Sequence, residues 1–289
     1  MKDNIHLKAL LITSLGVLLM SFESLFIKLT SISALSFSFY TGLFMFISIN
    51  LIMLKTQKKQ IGQAYKSGFY AVLTCGFLFG LSNVFFVSAI KTTTVANTVM
   101  ILSAAPLFSS FFAYVLYKEK STKNIYVSSF FIFIGLYIIF STQLGSADMI
   151  GNLYALICVI LFSLTFVLLS RYKNINRFAV TACGGFSLAV ISLIFVEDLS
   201  IDLDTLYILL LAGLLTVPIA RVLIGIGTKN LPASEVSLLM IIETIMAPIW
   251  VWLVLNESAA LSTLLGGGLI LITLIFNSLY LLKISKLEK

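Results

Sequence analysis

Ten apolar segments, each long enough to cross a bilayer and separated by short charged loops, predict an all-α integral membrane protein. Three observations carry that prediction. Hydrophobic residues make up 60% of the chain and charged residues only 11%, whereas a soluble domain is about a quarter charged and under half apolar. Runs near the ~20 residues that a spanning helix needs recur from one end to the other. None of them alternates with period two, which excludes a barrel of strands.

The first half supplies runs at 7–29, 35–54, 67–90, 95–117 and 125–141. The first follows a weakly basic start (Lys2, His6, Lys8) and has a small-x-small triplet at Ser31-Ile-Ser33, as a signal peptide would. It is too long for an h-region and more spans follow, so it reads as an uncleaved first helix. The second ends at Lys55, Lys58 and Lys59, and the third starts after Lys66 and stops at Lys91. The fourth lies between Lys91 and Glu119, and the fifth follows Lys118, Lys120 and Lys123 and contains no charge.

The second half repeats the plan at 152–170, 178–196, 205–227, 233–255 and 261–284. The sixth run ends at Arg171 and Lys173, and the seventh begins after Arg177 and leads into an acidic loop with Glu197, Asp198, Asp202 and Asp204. The eighth carries Pro218 and Arg221 and ends before Lys229, the ninth carries Glu243 and ends at Glu257, and the tenth closes with Lys283, Lys286 and Lys289. Nearly all the lysines and arginines therefore fall on one side, with Lys91 and Lys28 the exceptions, which predicts that both termini are cytoplasmic.

The net charge of +7 is distributed over these loops rather than gathered in a basic stripe, so nucleic acid is not an expected partner. Cys75, Cys158 and Cys183 all lie in apolar runs, are far apart and are odd in number, which predicts buried free thiols. His6 alone builds no metal site, and no cofactor motif is present.

The fourth and ninth runs correspond. Lys91 and Glu119 bracket one, and Lys229 and Glu257 bracket the other at identical spacing, with Phe112 and Tyr114 opposite Trp250 and Trp252. Consecutive homologous halves of five spans must lie in opposite orientation, an inverted repeat of 1–145 and 146–289 with a substrate site between them near the midplane. Ala89-Ile-Lys-Thr-Thr-Thr-Val-Ala-Asn97, Ala105-Pro106 with Glu119, Leu231-Pro-Ala-Ser-Glu-Val-Ser-Leu-Leu239 and Glu243-Thr-Ile-Met-Ala-Pro-Ile-Trp-Val-Trp252 resemble the drug/metabolite transporter superfamily, specifically its EamA-type ten-helix members. The resemblance covers essentially the whole chain. It implies a transporter that exports or exchanges small metabolites, and the short loops without an organelle signal predict an inner-membrane location. The sequence departs from that pattern at Thr41, where many members have Arg, and at Thr244, where Pro usually follows Glu.

An ionisable group at the bilayer centre costs roughly 3 kcal/mol unless it faces a cavity or a partner. Glu243, about 16 Å into the ninth run, is the leading substrate or coupling residue. It binds either a proton or a substrate ammonium. Glu23, about 24 Å into the first run, is expected with Asn83 and Asn97 in a polar layer toward the outside. Arg221 has two open readings, a carboxylate-binding residue or one that snorkels to the cytoplasm, with an Arg221–Glu235 inner gate as a further option. Tyr40 and Trp250 are cavity candidates, Pro106 and Pro248 kink their spans, and Glu119 and Glu257 are expected to find structural partners at helix ends. A monomer and a homodimer are both open, because the fifth and tenth runs lack intramembrane charges and suit either a dimer face or scaffold. An intramembrane enzyme has no motif here, with no His and no Asp in the spans, and a channel has no visible re-entrant filter loop.

Overall fold

In lipid a backbone N–H or C=O has no water to turn to, so each apolar run must satisfy its own hydrogen bonds as a helix. The computed structural model describes residues 2–57, 61–119, 123–141, 148–172, 175–227, 231 and 233–287. The described residues form helices and contain no strand. Crossing one comprises α1 (Lys2–Met20) and α2 (Glu23–Leu29), and crossing two is α3 (Ala34–Gln57). A short α4 (Ile61–Lys66) precedes α5 (Phe69–Thr92), which is crossing three. Crossing four is α6 (Val95–Leu102) with α7 (Ala105–Tyr117), and crossing five is α8 (Lys123–Ser141).

The second half follows with α9 (Asp148–Arg171) and α10 (Arg177–Phe195) as crossings six and seven. Crossing eight is α11 (Leu203–Leu210), a π-helical turn (Leu211–Thr216) and α12 (Val217–Gly227). Crossings nine and ten are α13 (Ala233–Leu255) and α14 (Leu261–Leu287). The described residues thus make ten crossings, five in each half, and with an odd number in each the two halves are inverted with respect to one another.

The packing respects that symmetry. Helices α3 and α10, the second crossing of each half, pack together, as do α8 and α14, the fifth of each. Helix α5 packs along α9 and α10, and correspondingly crossing eight packs along α1 and α3. Ser33 and Asn176 start the second crossings at equivalent places. The Ser33 hydroxyl accepts the Ser36 N–H at 3.0 Å, and Asn176 Oδ1 accepts the N–H groups of Phe178 and Ala179 at 3.0 and 3.3 Å. Asn176→Ala should lower stability by about 1 kcal/mol, read as a lower unfolding midpoint in detergent.

Small residues let these helices approach closely. A Cβ placed on Gly42 would lie 2.7 Å from Gly185 O, and one on Gly185 would lie 2.8 Å from Gly42 O. The side chains facing outward are apolar instead. Tyr70, Phe130, Phe133 and Tyr137 are all more than half exposed, which a bilayer covers and water would not tolerate. The three thiols are free, with Cys75 and Cys158 buried and Cys183 partly so.

Two crossings that the sequence reads as continuous are broken. Crossing one bends at Ser21–Phe22, where Ser21 Oγ donates to Leu18 O at 2.6 Å. Crossing four breaks at Ser103–Ala104, and Pro106 then stands in the first turn of α7, where its missing N–H is harmless. Pro248 sits inside α13 without interrupting it.

Candidate functional site

The site is built where helices are irregular. Pro218 has no N–H to give to Leu214 O four residues back, so that carbonyl is left without its helical donor. The backbone widens into the π-helical turn just before it, and Ser48 Oγ of α3 donates to Leu214 O at 2.8 Å. Such turns are frequent at functional sites. Across from it, the bend in crossing one makes Glu23 the first residue of α2.

These two irregularities enclose a cavity lined by Glu23, Thr41, Asn83, Ala212 and Gly213, with Phe37, Met45, Leu188 and Val217 completing the wall. Its volume open to the centre of a water molecule is about 10 Å³, room for about one water and too small for a metabolite. Asn83 Nδ2 donates to Phe79 O at 2.8 Å, and Thr41 Oγ1 donates to Phe37 O at 2.8 Å, so both donors are tied to their own helices.

Glu23, which lines this cavity, belongs to a group of three ionisable side chains near enough to interact electrostatically. Arg221 interacts electrostatically with both Glu23 and Glu243, and the two carboxylates with each other. The guanidinium lies over the Phe79 ring at 4.4 Å, and its Nε is buried without a hydrogen-bond partner. It therefore points into the protein and does not snorkel to a membrane face. Among the described residues no hydrogen bond or contact ion pair joins Glu23, Arg221 or Glu243. The group combines α2 from the first repeat with α12 and α13 from the second.

The other predicted residues have different surroundings. The expected layer of Glu23, Asn83 and Asn97 is split. Asn97 is fully buried, its amide donating to Thr93 Oγ1 at 3.0 Å and its carbonyl oxygen accepting from Thr263. Trp250 stacks on Phe22 with ring centroids 4.7 Å apart, and its Nε1 donates to Ser21 Oγ at 2.9 Å, so it braces the bend just before Glu23. Tyr40 donates to Leu199 O at 2.6 Å and Ser36 Oγ to Asp198 O at 2.7 Å, which pins the loop between α10 and α11 onto α3. In that loop the Ser200 hydroxyl, with its amide, holds the Asp198 carboxyl below the usual carboxylate range. The Glu235 side chain lies outside the described residues, and with it the Arg221–Glu235 gate.

At the face where crossing one ends, Lys28 and Glu257 form an ion pair at 2.7 Å. Glu257 also accepts the Val95 N–H at 2.7 Å, Lys28 donates to Thr93 O at 2.9 Å, and Lys91 donates to Thr30. A second cavity of about 320 Å³ opens beside this network, lined in part by Pro248, Trp252 and Glu257. Glu119, at the equivalent end of crossing four, is exposed. Among the described residues no group of three or more His, Cys, Asp or Glu is placed to hold a metal. Sequence reasoning missed Lys28 as a partner of Glu257, and it missed Thr41 and Gly213 as cavity lining. For Gly213 the signal was available in Pro218, whose lost hydrogen bond marks the irregular turn.

Comparison with known proteins agrees with this architecture. The model of the EamA-like transporter family matches twice, over residues 7–141 and 149–279. An "Uncharacterized transporter" of Clostridium kluyveri is 27% identical over 217 residues, covering 70% of each chain. Another of the same description from Methanothermobacter thermautotrophicus is 24% identical over 201 residues, covering 66% of this chain and 58% of that one. A solved structure titled "Crystal structure of protein" shares the fold, with a TM-score of 0.67 and 17% identity over 94% of this chain and 97% of that chain. The molecule is accordingly a multi-pass membrane transporter of small molecules and not an enzyme. With both halves matched, the chain belongs to the EamA-like transporter family.

Proposed function

We propose that the chain is a secondary transporter of small polar metabolites such as amino acids, exporting or exchanging them across the cell inner membrane by alternating access. Residues 1–145 and 146–289 are the two repeats that rock about a site between them, with both termini in the cytoplasm. The observation that carries this reading is the group Glu23, Arg221 and Glu243, drawn from both repeats, with Glu23 lining a cavity at two helix irregularities and Arg221 interacting electrostatically with both carboxylates. Charges of both signs suit a substrate that bears an ammonium and a carboxylate. Intramembrane charges of this kind mark substrate and proton pathways. Glu243 binds the proton or the ammonium, and Glu23 shares that role. The cavity is too small for a metabolite and must widen to admit substrate.

Counterflow in proteoliposomes, run over labelled amino acids and related metabolites, tests the reading. Saturable exchange that falls at least about tenfold in Glu243→Gln is the expected result. A mutant with unchanged rate and pH dependence would remove Glu243 from the site. Ion conductance without any saturable exchange would overturn the carrier.

A further inference from the structure

The chain builds one helix end twice and engages only one copy. Lys118 (φ 57°) and Asn256 (φ 55°) are the non-glycine residues with left-handed backbone among those described. Lys118 ends crossing four and Asn256 ends crossing nine, each the same number of residues from its start at Val95 or Ala233, and each is followed by a glutamate. The basic residues that end crossings one and six are matched as well. Lys28 ends crossing one five residues before the cap Ser33, and Arg171 ends crossing six five residues before the cap Asn176. Gly42 and Gly185, which touch reciprocally, keep the same register one crossing further on.

The two copies differ in what they hold. Glu257 is clasped by Lys28 and by the N–H of Val95. Glu119 is exposed, and Arg171, also exposed, rests over the ring of Tyr117 at 5.3 Å. That contact keeps the guanidinium two residues along the chain from Glu119, at the end of the packed pair α7 and α9. In an inverted repeat, the two halves exchange conformations when the molecule switches sides, so a contact made by one half in one state is made by the other half in the next.

We infer that Glu119 and Arg171 form the second clasp, closing the opposite face of the membrane protein when the Lys28–Glu257 clasp opens. The inference rests on alternating access but not on any substrate. Each clasp joins the first repeat to the second, Glu257 to Lys28 on one face and Glu119 to Arg171 on the other, so at most one is made at a time. An arginine fits this role because its guanidinium takes a carboxylate through two parallel bonds.

Disulfide trapping tests the pair without a substrate. In nanodiscs, E119C/R171C in a C75A/C158A/C183A background is oxidised with copper phenanthroline, with and without K28A. The expected result is a cross-link whose yield rises about fivefold with K28A, the shift that loss of one charge-assisted pair produces. A yield indifferent to K28A overturns the inference. So does simultaneous cross-linking of K28C/E257C and E119C/R171C in one molecule. Should the cysteine-free background fail to fold, hydrogen exchange on the otherwise native chain gives the same decision. K28A should speed exchange at 94–97 and slow it at 117–119, and faster exchange at both ends would sink the coupling. Counterflow measured on the same preparations separates this from the carrier reading, because exchange that survives with uncoupled clasps retires the pair alone.

Discussion

Arg221→Leu is expected to abolish transport, with counterflow down by about 100-fold or more and a marked loss of thermal stability. Removing one partner from a buried charge group costs ~3–5 kcal/mol because the charge left behind has neither water nor counter-ion. Here two carboxylates, Glu23 and Glu243, are left facing each other. Packing worsens too, since the guanidinium covers the Phe79 ring. The double variant Arg221→Leu with Glu23→Gln should recover part of the stability and none of the transport. A midpoint in the double variant as low as in the single would mean that the loss comes from packing over Phe79 and not from charge.

Gly185→Leu should have the largest structural effect in the chain. Overpacking a close-packed interior costs ~1–3 kcal/mol where neighbouring side chains can shift. At Gly185 the nearest atoms are backbone, Gly42 O and Phe46 N at 2.8 and 2.9 Å from the position of a new Cβ. Helices α3 and α10 must separate for any larger side chain to enter, and they join the two repeats directly. The expected outcome is a loss of about 3 kcal/mol or more in a denaturation assay, and little folded protein on gel filtration. Gly225→Ala is the control, since a Cβ there meets nothing within 4 Å and alanine is the better helix former by up to about 1 kcal/mol.

The spans were legible because hydropathy reports a solvent, and the solvent here is lipid. The ninth run at 233–255 coincides with α13, and the equal spacing of Glu119 and Glu257 reported two equivalent helix ends that the backbone repeats down to the left-handed cap. The breaks were less legible. Ser21-Phe22 contains neither glycine nor proline, so nothing local marks the bend. Trp250, more than two hundred residues away in sequence, meets it there with an indole donor and a ring stacked on Phe22. Placing Glu23 by counting residues along an ideal helix set it in an outer layer with Asn97. Glu23 instead shares a cavity wall with Asn83, and Asn97 spends its polar atoms on Thr93 and Thr263. Arg221 had two directions open to it, and only the tertiary position of Phe79 decides between them.

The chain has only two tryptophans, Trp250 and Trp252, and they sit almost side by side in the same helix. One is stacked on Phe22, whereas the other is 56% exposed and lines the larger cavity beside Glu257. Their emission therefore reports two environments from one turn of helix. A water-soluble or lipid-borne quencher should reach the exposed Trp252 more readily than Trp250, leaving residual light that comes from the bend that carries Glu23. Any compound or pH change that moves this bend alters that residual signal, which turns the unlabelled protein into its own optical sensor of site occupancy.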